Sequence, residues 1–207
     1  MSYDVSLKDP ITNKTIQLPI KHIMTGGIFA ATYDENTKTF SPMPTSDAWL
    51  NITYNYSNYY YEATEGDPRF AHDEISAYYA DGTTGPIRTE YGIRGLNGKT
   101  GLESIAMLKD MINRIKEKYF KDNEWITTFR EMVRYVDNIT GETLDLVNDI
   151  IKKHIPDNQY HAETYTVDVN EGSDDNYWTE TAVNAIKPLC QLIVMAELRP
   201  DGVWEIV

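Results

Sequence analysis

Residues 49–62 read WLNITYNYSNYYYE, and the first half of the chain is understood through this stretch. Asparagine is disfavoured in strands, yet Asn51 and Asn55 fall inside a run otherwise rich in strand-forming residues. With a period of two, Leu50, Ile52, Tyr54 and Tyr56 share one face, and Trp49, Asn51, Thr53, Asn55 and Ser57 share the other. The first face is apolar and aromatic and suits a core. The second is a row of uncharged donors and acceptors capped by a tryptophan, which suits ligand contact better than proton transfer. A face that merely points at water is the plain alternative, although solvent faces more often carry Thr, Lys and Glu. The expectation is a strand whose polar face lines a site, with its tyrosines split between core and rim.

The residues before this stretch also read as β. Residues 3–7 alternate, Asp9-Pro10 and Asn13 make a turn, and residues 14–18 return as a hairpin. Thr25-Gly26-Gly27 punctuates the chain before an extended run over 28–33 and a polar turn over 34–38. SPMPTSD (41–47) reads as a loop, because its two prolines deny ladder hydrogen bonds. Residues 62–95 read as a long irregular segment.

Thr100 and Glu103 match a capping box and predict a helix over 102–119, with Ile105, Leu108, Met111, Ile112 and Ile115 as its buried stripe. Residues 124–136 read as a strand, 141–153 as a short helix and 160–169 as a strand. This excursion predicts an insertion at about 120–172 within a single domain spanning 1–207. Ser173-Asp174-Asp175 marks the start of a last helix whose apolar positions recur from Trp178 to Leu198, bent or divided at Pro188. The fold class expected is α+β: a mostly antiparallel sheet from the N-terminal half with two main helices packed on it.

Composition narrows the function. At 207 residues and 41% hydrophobic content the chain can bury one sizeable core. A net charge of −13 lacks the basic footprint of a general nucleic-acid binder, so no direct nucleic-acid contact is expected. The single cysteine, Cys190, excludes an intrachain disulfide framework. No secretory pattern opens the sequence and no apolar run reaches membrane-spanning length, so the expectation is a cytoplasmic protein with no membrane partner. Asp67, His72, Asp73 and Glu74 follow no metal-motif spacing; no metal and no cofactor are expected.

GIRGLNGKT (92–100) comes close to a phosphate loop, but the first glycine of that motif falls on Ile93, and Gly92 stands one place early. As a nucleotide-hydrolysis signal it fails. Its physics survives in Gly92, Gly95 and Gly98, which precede a helix start, flanked by Arg88, Arg94 and Lys99: backbone N–H groups and cations that favour an anion. A tight glycine-rich connection is the plainer reading. His22, His72, His154 and His161 sit in no catalytic motif, no G-x-S-x-G occurs, and Cys190 lies in an apolar helix. A non-enzymatic binding function explains these residues with fewer assumptions.

The segments HIMTGG (22–27), AWLNITYNYS (48–57), GIRGLNGKTGLESI (92–105), YWTETAVNAIKPL (177–189) and LRPDGVW (198–204) resemble a family of small, uncharacterised proteins encoded in phages and prophages. The resemblance implies a phage protein in the bacterial host cytosol, acting in host takeover or evasion of host defence. One strategy there is a sponge that sequesters a small anionic, nucleotide-like signal. Another is an acidic decoy that occupies a host defence protein as a nucleic-acid mimic; a third is a phage structural or assembly role. A sponge would use Trp49, Asn51, Thr53, Asn55, Tyr56, Tyr59 and Tyr60 around its ligand, with Tyr54 beside them. His22 and Thr25 would join at the glycine turn, and Arg88, Arg94 and Lys99 would take phosphate, in a homo-oligomer that closes the pocket. The acids are scattered through GDPRFAHDE and NEGSDDN rather than set in rows, which favours the sponge over the decoy.

Overall fold

The central sheet collects strands from the beginning, the first third and the end of the chain. The computed structural model describes residues 2–23, 31–42, 44–78, 83–141, 143–144 and 160–207. In chain order the elements are β1 (Ser2–Lys8), β2 (Gln17–His22), β3 (Ala31–Asp34), β4 (Thr39–Pro42), β5 (Thr45–Asp47), β6 (Trp49–Thr53), α1 (Ser57–Thr64), β7 (Asp73–Tyr78), β8 (Thr84–Glu90) and α2 (Gly101–Tyr119). There follow β9 (Phe120–Lys121), β10 (Glu124–Trp125), β11 (Thr127–Asp137), β12 (Thr143–Leu144), β13 (Tyr160–Asn170), α3 (Ala182–Leu198) and β14 (Val203–Ile206). The fold is α+β, and every strand pairing among the described residues is antiparallel.

The chain divides into two units, Met1–Trp125 with Glu171–Val207, and Ile126–Asn170. In the first, β1 is the middle strand, between β14 and β6. Val5 faces Ile206 on one side and Leu50 on the other, Leu7 faces Trp204, and Tyr3 faces Ile52. Alternation places Val5, Leu7, Leu50, Ile52 and Trp204 on the buried side, each essentially without exposure. Burying each such aliphatic side chain contributes about 1.5–3 kcal/mol.

α2 supplies Met107, Leu108, Met111, Ile112 and Ile115 to this core. It packs mainly on α3, whose Ala182, Ala185 and Ala196 are small enough for close approach. Both predicted features of the α2 start are present: Thr100 Oγ1 accepts from the Glu103 N–H, and the Glu103 carboxylate accepts from the Thr100 N–H. In the second unit β11 pairs with β12 on one side and along its whole length with β13 on the other.

Several expectations are corrected. The strand at 49–62 ends at Thr53; Tyr54–Tyr56 is a 3-10 turn, and α1 follows. Tyr56, Tyr59, Tyr60 and Ala63 are all buried, a helical i, i+3, i+4, i+7 spacing that overrides the period of two. The described residues of 62–95 carry regular elements where an irregular segment is expected: α1 ends, 3-10 turns form at Pro68–Phe70 and Ile93–Leu96, and β7 and β8 pair antiparallel. The segment 41–47 is partly extended, in β4 and β5. The return at 14–18 touches β1 through the single bridge Lys8↔Thr15, and β2 pairs with β5 instead.

The last helix starts at Ala182 rather than near Trp178. Asp174 and Asn176 satisfy nearby N–H groups through their own side chains, which competes with helix formation. Thr181 is the cap, and Pro188 lies inside one continuous helix. Of the helix read over 141–153, Thr143 and Leu144 form β12, and residues 145–153 lie outside the described residues, as do 28–30. No helix among the described residues is long and apolar enough to cross a membrane.

Among the described glycines, Gly95 lies tightest against backbone. A Cβ there would lie 2.4–2.7 Å from the Cα, C and O of Phe70. Gly95→Ala is therefore expected to force these turns apart and to lower stability by about 1–3 kcal/mol, the usual cost of overpacking, read from the urea midpoint.

Candidate functional site

Asn51 and Asn55 of the 49–62 stretch hold the fold together. Asn51 is buried opposite Asp4 in the β1–β6 register, and its Nδ2 donates to Asp4 Oδ1 and Ser2 Oγ, both at 2.8 Å. The free edge of β6 is closed by one hydroxyl: Tyr177 Oη donates to the Asn51 carbonyl at 3.1 Å and accepts from the Thr53 N–H at 2.9 Å. Asn55 Nδ2 donates to the Trp178 carbonyl at 2.9 Å. Thr53 is buried and caps the 3-10 turn, accepting from the Asn55 N–H.

Tyr56, and Tyr59 and Tyr60 of α1, are likewise committed to the fold. Tyr56 Oη donates to the Tyr177 carbonyl, Tyr59 Oη to Glu171 Oε2 at 2.6 Å, and Tyr60 Oη to the Ala185 carbonyl at 2.9 Å. Burial pushes the Tyr60 hydroxyl far up and that of Tyr177 to about 12, so both stay protonated as donors.

The expectation that Asn51, Thr53, Asn55, Tyr56, Tyr59 and Tyr60 surround a ligand is thereby corrected. Five of the six, Asn51, Thr53, Tyr56, Tyr59 and Tyr60, are at most 4% exposed, and their polar groups are spent on backbone and side-chain partners. Asn51→Ala is expected to cost roughly 1–3 kcal/mol, because it strips a buried partner from Asp4 and Ser2. Ligand affinity of the folded protein should stay unchanged, which titration at a temperature well below the melting point would check. Trp49 is half-buried opposite Ser6 and borders neither cleft described next. His22 ends β2, where Nε2 donates to the Asp47 carbonyl at 2.7 Å. Thr25 lies outside the described residues. Arg88 is exposed on β8 opposite Ile75, away from both clefts.

Two neighbouring clefts share His72 and Arg94 as common wall residues. The first, about 300 Å³, is lined by Tyr3, Tyr54, Tyr61 and Tyr91 together with Asn58 and Glu90. The Tyr3 and Tyr54 rings lie 4.3 Å apart, and Tyr61 and Tyr91 meet edge-on at 6.3 Å. The second, about 510 Å³, is lined by Arg69, Arg94 and Lys99, with Asn97, Asp73 and the C-terminal Ile206 and Val207. Of the expected residues, the structure thus brings together Tyr54, Arg94 and Lys99, and adds Tyr3, Tyr61, Tyr91, Arg69 and His72.

Arg94 is held in place by aromatic rings. Its guanidinium lies 5.6 Å from the Tyr3 ring centre and 5.9 Å from that of Tyr54, and Nη2 donates to Tyr54 Oη at 2.9 Å. Lys99 is half-buried, and its ammonium makes no hydrogen bond or ion pair among the described residues. Arg69 is committed differently. It grips Asp67 through Nε at 3.1 Å and Nη2 at 2.7 Å, and reaches Asp110 at 2.9 Å. Arg114 closes on the same Asp67 oxygen at 2.7 Å.

The Asp67 carboxyl is held well below the usual carboxylate range, first by its hydrogen bond from Arg69 and further by Arg114, against a desolvation cost. A depressed folded-state pKa means stability that is present above the unfolded value near 4 and lost as pH falls through the folded one. Asp67→Asn, which keeps the turn-capping oxygen, is expected to lower the urea midpoint at pH 7. The gap to wild type should close progressively below about pH 4.

The glycine segment does not form an anion nest. The N–H groups of Gly95, Asn97, Gly98 and Lys99 donate to the carbonyls of Gly92, Arg94, Trp204 and Leu96. At the start of α2, Gly101 donates to Gly202, Leu102 to Pro200, and Glu103 to its cap. These backbone donors are spent, so an anion beside them is met by the side chains of Arg94 and Lys99. Gly92 and Gly98 supply the positive φ angles, 133° and 76°, that the connection requires.

At the junction of the clefts the ligand atoms of His72, Asp73 and Glu90 come within 4.8 Å of one another, a group able to share a metal ion. Sequence reading noted His72 and Asp73 but not Glu90, which arrives from across the β7–β8 hairpin. Compared with family models, with curated proteins and with solved structures, the chain finds no match in any of the three.

Proposed function

We propose that the protein binds a small anionic, nucleotide-like ligand and sequesters it. The observation that carries this reading is the place of Arg94, in the shared wall of a tyrosine-lined cleft and a cation-lined cleft. A planar base stacks on tyrosine faces, each such contact being worth about 1–3 kcal/mol in single-stranded nucleic-acid complexes. A phosphate takes charge-assisted hydrogen bonds from Arg94 and an ion pair from Lys99. The cleft volumes fall at the small end of the range known for ligand pockets. In the setting implied by the sequence resemblance, a phage protein in its bacterial host, such binding withdraws a nucleotide signal from host defence.

The test is direct. Protein purified from bacterial cells that produce nucleotide signals is denatured, and the supernatant is searched for nucleotides by mass spectrometry. A nucleotide released in stoichiometric amount supports sequestration. An empty protein whose melting temperature also ignores a panel of cyclic and linear nucleotides overturns it.

A further inference from the structure

The geometry points to a divalent metal site at His72, Asp73 and Glu90, on the wall between the two clefts. Metal binding at these residues stands on its own geometry, whereas the role given to the ion below rests on the nucleotide reading.

Three observations converge. Asp73 and Glu90 are directly opposite in the antiparallel β7–β8 pair, a placement in which two carboxylates repel unless a cation lies between them. His72 is adjacent, with a side chain only 12% exposed, and its backbone N–H donates to the Glu90 carbonyl at 3.1 Å, which ties the histidine to the hairpin. Its Nδ1 lies 3.2 Å from the Phe70 carbonyl. A carbonyl only accepts, so Nδ1 carries the proton, and in the neutral ring the Nε2 lone pair faces the Glu90 carboxylate at 3.7 Å. A backbone carbonyl that orients the imidazole from behind is the usual outer-shell arrangement of a metal-binding histidine.

One imidazole nitrogen and two carboxylates form a mixed donor set. Magnesium and calcium favour all-oxygen surroundings, so the set fits a borderline ion such as Mn2+ or Zn2+. Three protein ligands leave coordination positions open. Asp73 borders the cationic cleft, Glu90 borders the aromatic one, and His72 borders both, so an open position faces the space where the ligand phosphates are placed. The ion would bridge phosphate oxygens opposite Arg94.

Protein stripped with a chelator is titrated with MnCl2 and with ZnCl2 by calorimetry, and then with inorganic pyrophosphate in the presence and absence of Mn2+. Wild type is expected to take up one ion per chain. His72→Ala and Glu90→Gln should each weaken uptake at least about tenfold, with folding confirmed by circular dichroism. Pyrophosphate should bind more tightly with Mn2+ present, and Arg94→Ala should weaken pyrophosphate while leaving Mn2+ uptake intact. Absence of uptake by the folded wild type, or uptake that neither His72→Ala nor Glu90→Gln changes, overturns the site. Ion uptake without any pyrophosphate or nucleotide binding supports the site and overturns the sequestration reading. Pyrophosphate binding indifferent to Mn2+ overturns the bridging role.

Discussion

Trp204→Ala is expected to destabilise the protein by about 3–5 kcal/mol, the range for emptying a large aromatic site in a core. Trp204 is 1% exposed on β14, packed opposite Leu7 on the central strand. Its Nε1 donates to Ser104 Oγ of α2 at 2.8 Å, and its backbone groups pair with Gly98 and Lys99. The side chain therefore joins the sheet to the principal helix, while the Trp204 backbone holds the segment that carries Lys99. Single domains hold only about 5–15 kcal/mol in total, so a loss of this size leaves a marginal protein. The expected result is a much lower urea midpoint. Trp204→Phe should fall between wild type and alanine, because it keeps most of the ring volume but loses the donor to Ser104.

Arg94→Ala is expected to have the largest effect on binding while leaving the fold in place. Arg94 is half-buried at the surface of the clefts, and its contacts are the two tyrosine rings and one phenolic oxygen rather than the core. A hydrogen bond to a charged group is worth about 1.5–3 kcal/mol. If the protein binds a nucleotide as proposed, its loss is expected to weaken that affinity by roughly 10- to 100-fold. Arg94→Lys should recover only part of this, because a lysine supplies charge without the planar fork that engages phosphate and stacks on tyrosine. Calorimetric titration with the nucleotide released from the wild type measures both variants. Unchanged affinity in a folded Arg94→Ala would show that the ligand binds elsewhere.

The row of amides and hydroxyls at 49–57 reads as a binding face only while the stretch is taken as one strand. The signal for its true form was present: Tyr56, Tyr59, Tyr60 and Ala63 have helical spacing, and Thr53 stands where a cap is needed. β-Branched and aromatic residues on either side of that junction favour the extended reading, and the conflict is settled by burial of the tyrosines against residues 171–185. At GIRGLNGKT the glycines were legible but their purpose was not. Gly95 is small because Phe70 lies against it, and the free N–H groups that suggest an anion are occupied by partners such as Trp204 and Gly202.

By itself the sequence determined those features whose causes act within a turn of chain. The capping box and apolar stripe of α2, the end of α3 at Leu198, the turn at 35–38 and the α+β class all follow from contacts a few residues long. Tertiary structure decided what depends on distant partners. The sheet joins β1, β6 and β14, and the clefts draw on Tyr3, Tyr54, Arg69, His72, Glu90, Arg94 and Lys99. These residues meet because the apolar faces of the sheet, α1, α2 and α3 share one core. Hydrophobic burial sets those faces together without regard to separation along the chain, and no local pattern records which polar side chains it brings to a common wall.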